Sequence, residues 1–82
     1  MYKILITDTA KRDIKKLDFE VQKRIVEKLK DYSSDPIHFS RKLQDSSIGT
    51  YRFRIGDYRI SFDIVEKDLV ILRIRHRKDI YR

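Results

Sequence analysis

In the first part of the chain, apolar and polar residues alternate as in a β-strand, and the apolar residues that follow are spaced as in a helix. Apolar and polar side chains alternate over residues 2–7, which predicts a short strand with one more apolar face. Asp8 or Thr9 can cap the helix that follows, because their side-chain oxygens accept hydrogen bonds from the free N–H groups of a first turn. The apolar positions of that helix, at spacing i, i+4 and i+7, are Ala10, Ile14 and Leu17.

A second, longer helix is predicted from Asp18, as its N-cap, to Tyr32. Pro36 ends this region because it excludes Asp35 from helical backbone angles. Two helices that meet near Asp18 form an antiparallel hairpin. The longer helix carries an apolar stripe that either packs into the core or binds a partner, and we expect core packing. The stripe consists of Val21, Ile25, Val26, Leu29 and Tyr32.

The last third of the chain is predicted to be β-structure. It follows an aperiodic segment, residues 37–50, for which we predict only that Ile37, Phe39 and Leu43 anchor it. Gly56-Asp57 separates two alternating runs, residues 51–55 and 58–65, as in a hairpin with a type II′ turn, and a third strand covers residues 69–76. The expected fold is a single α+β domain over residues 1–82. It has an N-terminal strand, a two-helix hairpin and a three-stranded antiparallel meander, with the helices on one face of the sheet.

Strand register decides which side chains share a face of this sheet. The two-residue turn pairs Arg54 with Arg59 and Arg52 with Ser61. For the next connection we predict a three-residue loop, 66–68, because a two-residue loop drives Arg73 and Arg75 into the core. The pairs predicted from this loop are Ile64 with Val70, Phe62 with Leu72, Ile60 with Ile74, Ser61 with Arg73 and Arg59 with Arg75.

This register collects arginines on one sheet face. We call Arg52, Arg54, Arg59, Arg73 and Arg75 the arginine face, with Arg77 continuing from its edge. The chain has 20 Lys and Arg against 13 Asp and Glu, a net charge of +7, and its basic residues after position 48 are mostly arginine. Arginine forks bind phosphate and stack on bases, so the pattern favours nucleic-acid binding. The alternative is a solvated face whose long side chains cover the sheet.

Composition excludes several other classes. There is no cysteine, and with 2 Gly there is no phosphate-binding glycine loop. His38 and His76 are far apart in the chain and no acids are paired, so we expect neither a metal site nor another cofactor. The longest apolar run, Leu69 to Leu72, is too short to span a membrane, and the N-terminus lacks a signal-peptide pattern. We therefore expect a cytoplasmic protein without a membrane partner.

Two motifs resemble the RelE/ParE superfamily of type II toxins. The first is Tyr51-Arg-Phe-Arg-Ile-Gly-Asp-Tyr-Arg-Ile, and the second is Ile71-Leu-Arg-Ile-Arg-His-Arg-Lys-Asp-Ile-Tyr81. The resemblance extends over almost the whole chain. It implies a small basic endoribonuclease that cuts mRNA in the ribosomal A site and that a cognate acidic antitoxin silences. It also implies an active site formed by Arg52, Arg54, Arg59, Arg77 and Tyr81.

One departure concerns the group that moves the proton. Well-understood RelE members have lysines at the positions of Arg52 and Arg54, and arginine does not give up its proton. We therefore expect the base to be Tyr81, His76 or a group that the sequence does not identify. Two other functions stay open: a ParE-type protein that binds DNA gyrase without cutting RNA, and a catalytically inactive relative that binds nucleic acid. Arg73 and Arg75 are expected to bind phosphate in the nucleic-acid-binding interpretations.

Overall fold

A computed structural model describes residues 2–42 and 50–80 of the chain. Within these residues one strand is followed by three helices, four strands and a last short helix, and none of the helices is long and apolar enough to cross a membrane. The strands are β1 (Lys3–Ile6), β2 (Arg41–Lys42), β3 (Tyr51–Ile55), β4 (Tyr58–Val65) and β5 (Asp68–His76). The helices are α1 (Asp8–Lys15), α2 (Phe19–Tyr32), α3 (Pro36–Phe39) and α4 (Arg77–Ile80).

The described strands form one sheet in the order β1-β5-β4-β3-β2. β1 runs parallel to β5, and the other neighbouring pairs are antiparallel. Side chains from α1 and α2 pack with the inward residues of β3, β4 and β5 in one core, so the predicted α+β fold is confirmed. The fully or almost fully buried apolar residues are Ala10, Ile25, Leu29, Phe53, Ile55, Ile60, Phe62, Leu69, Ile71 and Ile74.

Thr7 joins the first strand to the first helix. It is the N-cap of α1, and its hydroxyl accepts a hydrogen bond from Ala10 N–H at 3.2 Å. The same hydroxyl donates to the carbonyl of Ile71 at 2.8 Å. The prediction of Asp8 or Thr9 as the cap is therefore wrong by one or two positions, because the cap residue must also reach β5. Asp18 does occupy the N-cap position of α2, without a side-chain hydrogen bond to its first turn.

The segment after α2 contains structure that the sequence pattern did not predict. Pro36 stands at the first position of α3 and is buried, while Asp35 caps the helix by accepting from His38 N–H at 3.4 Å. Ile37 is 54% exposed, so its predicted anchoring role is wrong and the neighbouring proline provides the anchor. Phe39 packs on the ring of Tyr32 at 4.8 Å between centroids. Leu43 lies outside the described residues.

The first hairpin has the predicted turn and register. Gly56 has φ +58°, a value that glycine adopts without steric cost and that a type II′ turn needs at its first central position. Arg54 pairs with Arg59, and Arg52 pairs with Ser61. The side chains predicted to share a face on these two strands are therefore neighbours.

In the second hairpin, three of the five predicted pairs are confirmed and two are wrong. The pairs of Arg59 with Arg75, Ile60 with Ile74 and Ser61 with Arg73 are confirmed, but Phe62 pairs with Ile71 and Ile64 with Leu69. The connection has two residues, Glu66 and Lys67, and β5 takes up the difference in a β-bulge opposite Ser61 and Phe62, where Leu72 has no partner on β4. The bulge resets the alternation, so both ends of β5 bury apolar side chains despite the shorter loop.

Glu66 has a strained backbone conformation that a substitution can relieve. Its φ is +56°, where a side chain is strained and glycine is not. We expect Glu66→Gly to raise the free energy of unfolding by about 1 kcal/mol, measured as a thermal midpoint several degrees higher. Lys67→Gly is the matched control and should lower the midpoint, because Lys67 has no positive φ to relieve. A destabilised Glu66→Gly would contradict this account of the turn.

Candidate functional site

Three arginines surround a small cleft at the end of the first hairpin. Arg54 and Arg59 are cross-strand partners on β3 and β4, and Arg77 opens α4. Together with the residues of the turn they line a cavity of about 180 Å³. The complete lining is Arg54, Gly56, Asp57, Tyr58, Arg59 and Arg77. Of the residues that the resemblance implies for an active site, the structure thus brings Arg54, Arg59 and Arg77 to one cavity.

A backbone hydrogen bond fixes Arg77 beside the turn. Arg77 N–H donates to the carbonyl of Asp57 at 2.7 Å, which ties the start of α4 to the turn between β3 and β4. Arg77 follows β5 directly. The register of β5 and the hydrogen bond to Asp57 therefore fix the position of the Arg77 backbone beside the turn. Asp57 and Tyr58 line the cleft as well, and neither was among the predicted site residues. Their position next to the Gly56 turn is the signal that could have indicated them.

His76 lies next to the cleft, with one ring nitrogen occupied. Lys78 N–H donates to His76 Nδ1 at 3.1 Å, so the imidazole caps the start of α4. The ring of Tyr58 meets the His76 ring edge-on, with centroids 5.1 Å apart. Tyr58 lines the cleft and also a separate cavity next to Arg73 and Arg75, and His76 lines that separate cavity too. Tyr81, the other candidate base, lies outside the described residues.

A second cavity adjoins the first through Arg54. It measures about 310 Å³ and is lined by Phe39, Arg41, Arg52 and Arg54. Arg41 was not predicted as a site residue, because the aperiodic segment gave no sign that β2 would add it to the sheet. Its cross-strand partner is Arg52.

Arg73 and Arg75 line a different cavity, of about 390 Å³, at the edge of β5 beside α1. Arg73 Nε donates to Asp13 Oδ2 at 2.8 Å and its Nη2 to Oδ1 at 3.2 Å, and the backbone N–H of Ile74 also donates to Oδ2, at 2.9 Å. Asp13 and Asp79 contribute acidic side chains to this cavity. The arginine face is therefore divided, and its Arg73 is paired with an acid that the sequence analysis did not consider.

The protonation of Asp13 follows from these contacts. Burial raises the pKa of the Asp13 carboxyl. Hydrogen bonds from Arg73 and Ile74 and the charges of Arg73 and Arg75 lower it by more than burial raises it, so the pKa lies below the ordinary aspartate value. The side chain of Asp13 is 11% exposed and that of Arg73 is 34% exposed, so solvent screens the pair in part, from the arginine side. Asp13 is therefore a charged group that holds the sheet edge, and its salt bridge with Arg73 is structural.

The chemistry available in the cleft follows from its side chains. Guanidinium groups are planar donors with a permanent charge, suited to phosphate oxygens and to the extra negative charge of a pentavalent phosphorus. Within residues 2–42 and 50–80, no three His, Cys, Asp or Glu side chains are grouped so that they could hold a metal ion. The cleft is therefore a basic site suited to an anion, and Asp57 and Tyr58 are also part of its lining.

Comparison with known proteins identifies the class. Residues 4–81 match the family described as the ParE toxin of the type II toxin-antitoxin system parDE. The chain belongs to this family and is a type II toxin of the RelE/ParE superfamily.

Its relatives carry RelE-type names. It is 37% identical over 84 residues to Toxin RelG of Mycobacterium tuberculosis, covering 99% of this chain and 97% of that protein. It is 29% identical over 83 residues to Toxin RelE3 of Methanocaldococcus jannaschii, covering 96% and 94%.

Solved structures are similar over the same length. The toxin-antitoxin complex RelBE2 from M. tuberculosis contains a chain that superimposes with a TM-score of 0.83 at 34% identity, covering 93% of this chain and 98% of that one. The archaeal RelE-RelB complex from Pyrococcus horikoshii gives 0.75 at 24% identity, covering 93% and 94%, and shows the same fold.

The salt bridge between Asp13 and Arg73 predicts a pH-dependent stability. Because folding lowers the pKa of Asp13, its contribution is present above the aspartate pKa of the unfolded chain, about 3.9, and is lost as the pH falls through the lower folded value. We expect Asp13→Asn to cost about 1–3 kcal/mol at pH 7, since charge-assisted hydrogen bonds are lost.

Unfolding by urea at pH 7 and at pH 3 measures this contribution. The difference between the wild type and Asp13→Asn should shrink at the lower pH, while Glu27→Gln, an exposed acid on α2, should differ little from the wild type at either pH. An Asp13→Asn difference that is the same at both pH values would contradict the assignment.

Proposed function

We propose that this toxin is a ribosome-dependent endoribonuclease that cuts mRNA in the A site. The observation that carries the proposal is the convergence of Arg54, Arg59 and Arg77 on one cavity of about 180 Å³. Three permanent positive charges around so small a space are suited to the oxygens of a single phosphate group. The similarity to RelE-type toxins supports the choice of RNA.

The proposed reaction is an internal transfer at phosphorus. The 2′-hydroxyl oxygen attacks the adjacent phosphorus and loses its proton, and the bond from phosphorus to the 5′-oxygen of the next nucleotide breaks. That oxygen takes up a proton, so the products are a 2′,3′-cyclic phosphate and a 5′-hydroxyl. Arg54, Arg59 and Arg77 bind the phosphate oxygens and stabilise the charge that develops in the transition state.

We assign the proton transfer to Tyr81 and a positioning role to His76. Arginine keeps its proton, so the arginines of the cleft cannot supply the base. His76 Nδ1 accepts a hydrogen bond from Lys78 N–H, and using this nitrogen as a base would release the start of α4. Tyr81 follows α4 directly in the chain. The resemblance to RelE toxins, in which a tyrosine belongs to the active site, supports its selection.

We also propose that an acidic antitoxin binds and silences this toxin. The net charge of +7 and the clustered arginines favour an acidic partner. The similar M. tuberculosis structure is a toxin-antitoxin complex, and so are the archaeal ones.

Inhibition of DNA gyrase is the second candidate function. The observation that favours it is the family match, since the matching family is named for the ParE toxin. In that case the cleft arginines serve binding alone. The two functions differ in their product: one leaves cut RNA, and the other leaves intact RNA and inhibited supercoiling.

Removing one arginine of the cleft tests the proposal in cells. We expect Arg54→Ala to abolish growth arrest without lowering the thermal midpoint, because Arg54 is exposed and lies beside the like charge of Arg59. Arg12→Ala, which removes an exposed arginine from α1, should stay toxic. Mapping of RNA 5′ ends after brief expression should show cuts for the wild type and Arg12→Ala only.

Two results would contradict the proposal. Toxicity of Arg54→Ala equal to that of the wild type would remove the cleft from the function. Growth arrest without new RNA ends, accompanied by lost supercoiling of plasmids, would transfer the function to gyrase.

Two substitutions of His76 separate positioning from proton transfer. Asparagine keeps a side-chain acceptor for Lys78 N–H but cannot act as a base at neutral pH, whereas alanine keeps neither. We expect His76→Asn to retain RNA cleavage within about tenfold of the wild type with an unchanged pH profile, and His76→Ala to lose more. Equal loss in both variants would make His76 a catalytic residue and reject the positioning role.

A further inference from the structure

The cavity beside the cleft has the composition of a nucleotide-binding subsite. It is lined by Phe39, Arg41, Arg52 and Arg54, and Arg54 also lines the proposed catalytic cleft. A ligand with a phosphate in the cleft therefore continues into this second cavity across one shared side chain. We propose that the cavity binds the next nucleotide of a single-stranded RNA, with the base on Phe39 and the phosphate on Arg41. The inference rests on the proposed function and extends it to the substrate beyond the cut bond.

The sheet geometry places the arginines of this cavity on one face. Arg41 of β2 and Arg52 of β3 are cross-strand partners, and partners project to the same face. Arg54 lies two residues after Arg52, which in a strand is again the same face. Three guanidinium groups thus line the cavity from the same face of the sheet.

Phe39 provides an aromatic surface held in place by other rings. It stacks on Tyr32 at 4.8 Å and 20°, and Tyr32 in turn contacts the buried Phe53 at 5.0 Å. The ring of His38 meets Phe39 edge-on at 4.9 Å. Although Phe39 is fixed in this way, 45% of its surface stays exposed, next to arginines. An exposed, immobilised aromatic ring with cations beside it is the arrangement that stacks unpaired bases.

An RNA strand explains this combination better than a protein segment does. An acidic peptide would satisfy the arginines but would leave the ring without a flat partner, and an apolar helix would satisfy the ring but not the charges. A nucleotide brings a base and a phosphate together. Since Arg54 lines both cavities, an RNA strand that occupies both brings a phosphate to each.

Binding of oligonucleotides that cannot be cut tests the subsite. The probes are 2′-O-methyl RNAs, which cannot react because the reaction needs a free 2′-hydroxyl. One probe has two nucleotides and ends at the cleft, the other has six and continues into the subsite, and both carry 2-aminopurine at either end. We expect the wild type to bind the longer probe more tightly and to quench its 2-aminopurine fluorescence at one end. Phe39→Leu and Arg41→Ala should each lose about 5- to 100-fold in affinity for the longer probe and stay within about twofold for the shorter one.

Matched variants control for folding and charge. Phe19→Leu changes another exposed phenylalanine, on α2, and Arg12→Ala removes another exposed arginine, and both should bind like the wild type. Phe39→Tyr keeps a ring and should restore the quenching that Phe39→Leu abolishes. Arg41→Ala should also reduce the salt dependence of binding by about 0.7 of a log unit per tenfold change in salt, the contribution of one phosphate on a single strand.

The outcomes separate this inference from the function on which it rests. A wild type that gains affinity with length, with variants of Phe39 and Arg41 that gain equally, overturns the subsite and leaves the nuclease proposal standing. A wild type that binds neither probe and cuts no RNA overturns both. If Phe39→Leu weakens a complex with the antitoxin and leaves RNA binding unchanged, the surface binds protein and the subsite is rejected.

Discussion

The β-bulge at Leu72 is the constraint on which the site depends. β1 pairs with β5 only as far as Ile71, so the edge of β5 beyond that residue has lost its strand neighbour. In place of a neighbouring strand, Asp13 of α1 accepts hydrogen bonds from the N–H of Ile74 and from the guanidinium of Arg73. The extra residue of the bulge lies at this change of partner, and it reverses which side chains face the core.

The bulge positions the cleft through Arg75 and Arg77. Because Ile74 is buried after the bulge, Arg75 lies opposite Arg59 and the chain leaves the sheet next to the turn of the first hairpin. There Arg77 N–H bonds to the carbonyl of Asp57, and His76 caps the first turn of α4. A helix–strand salt bridge and a backbone hydrogen bond thus hold three arginines together although their charges repel.

The parts of the fold predicted from sequence are those with local signals. Gly56-Asp57 determined the first hairpin, and with it the neighbouring positions of Arg54 and Arg59. The second hairpin has no such signal, because Glu66 adopts a positive φ that nothing in its residue type indicates. The sequence pattern of β5 is explained equally well by a three-residue loop and by a two-residue loop with a bulge. The prediction of the longer loop is wrong because the pattern does not distinguish the two.

The missing parts of the site have a similar cause. Arg41 joins the sheet through a strand of two residues, too short for any periodicity, and Asp13 meets Arg73 across 60 residues of sequence. Phe39 was predicted as an anchor, and its contact with Tyr32 bears this out in part, yet its exposure is visible only in the fold. Arginine content predicted the charge of the surface, whereas tertiary contacts decide which arginines face the cleft and which are paired.

Cleavage of a defined mRNA by the purified toxin tests the central claim most directly. The toxin would be incubated with that mRNA, with and without programmed ribosomes, and the RNA ends would be mapped and their chemistry determined, with purified gyrase assayed in parallel. The account predicts cuts in register with the codons, only with ribosomes present, ending in 2′,3′-cyclic phosphate and 5′-hydroxyl, with supercoiling unaffected. Intact mRNA on ribosomes together with inhibited supercoiling would contradict it.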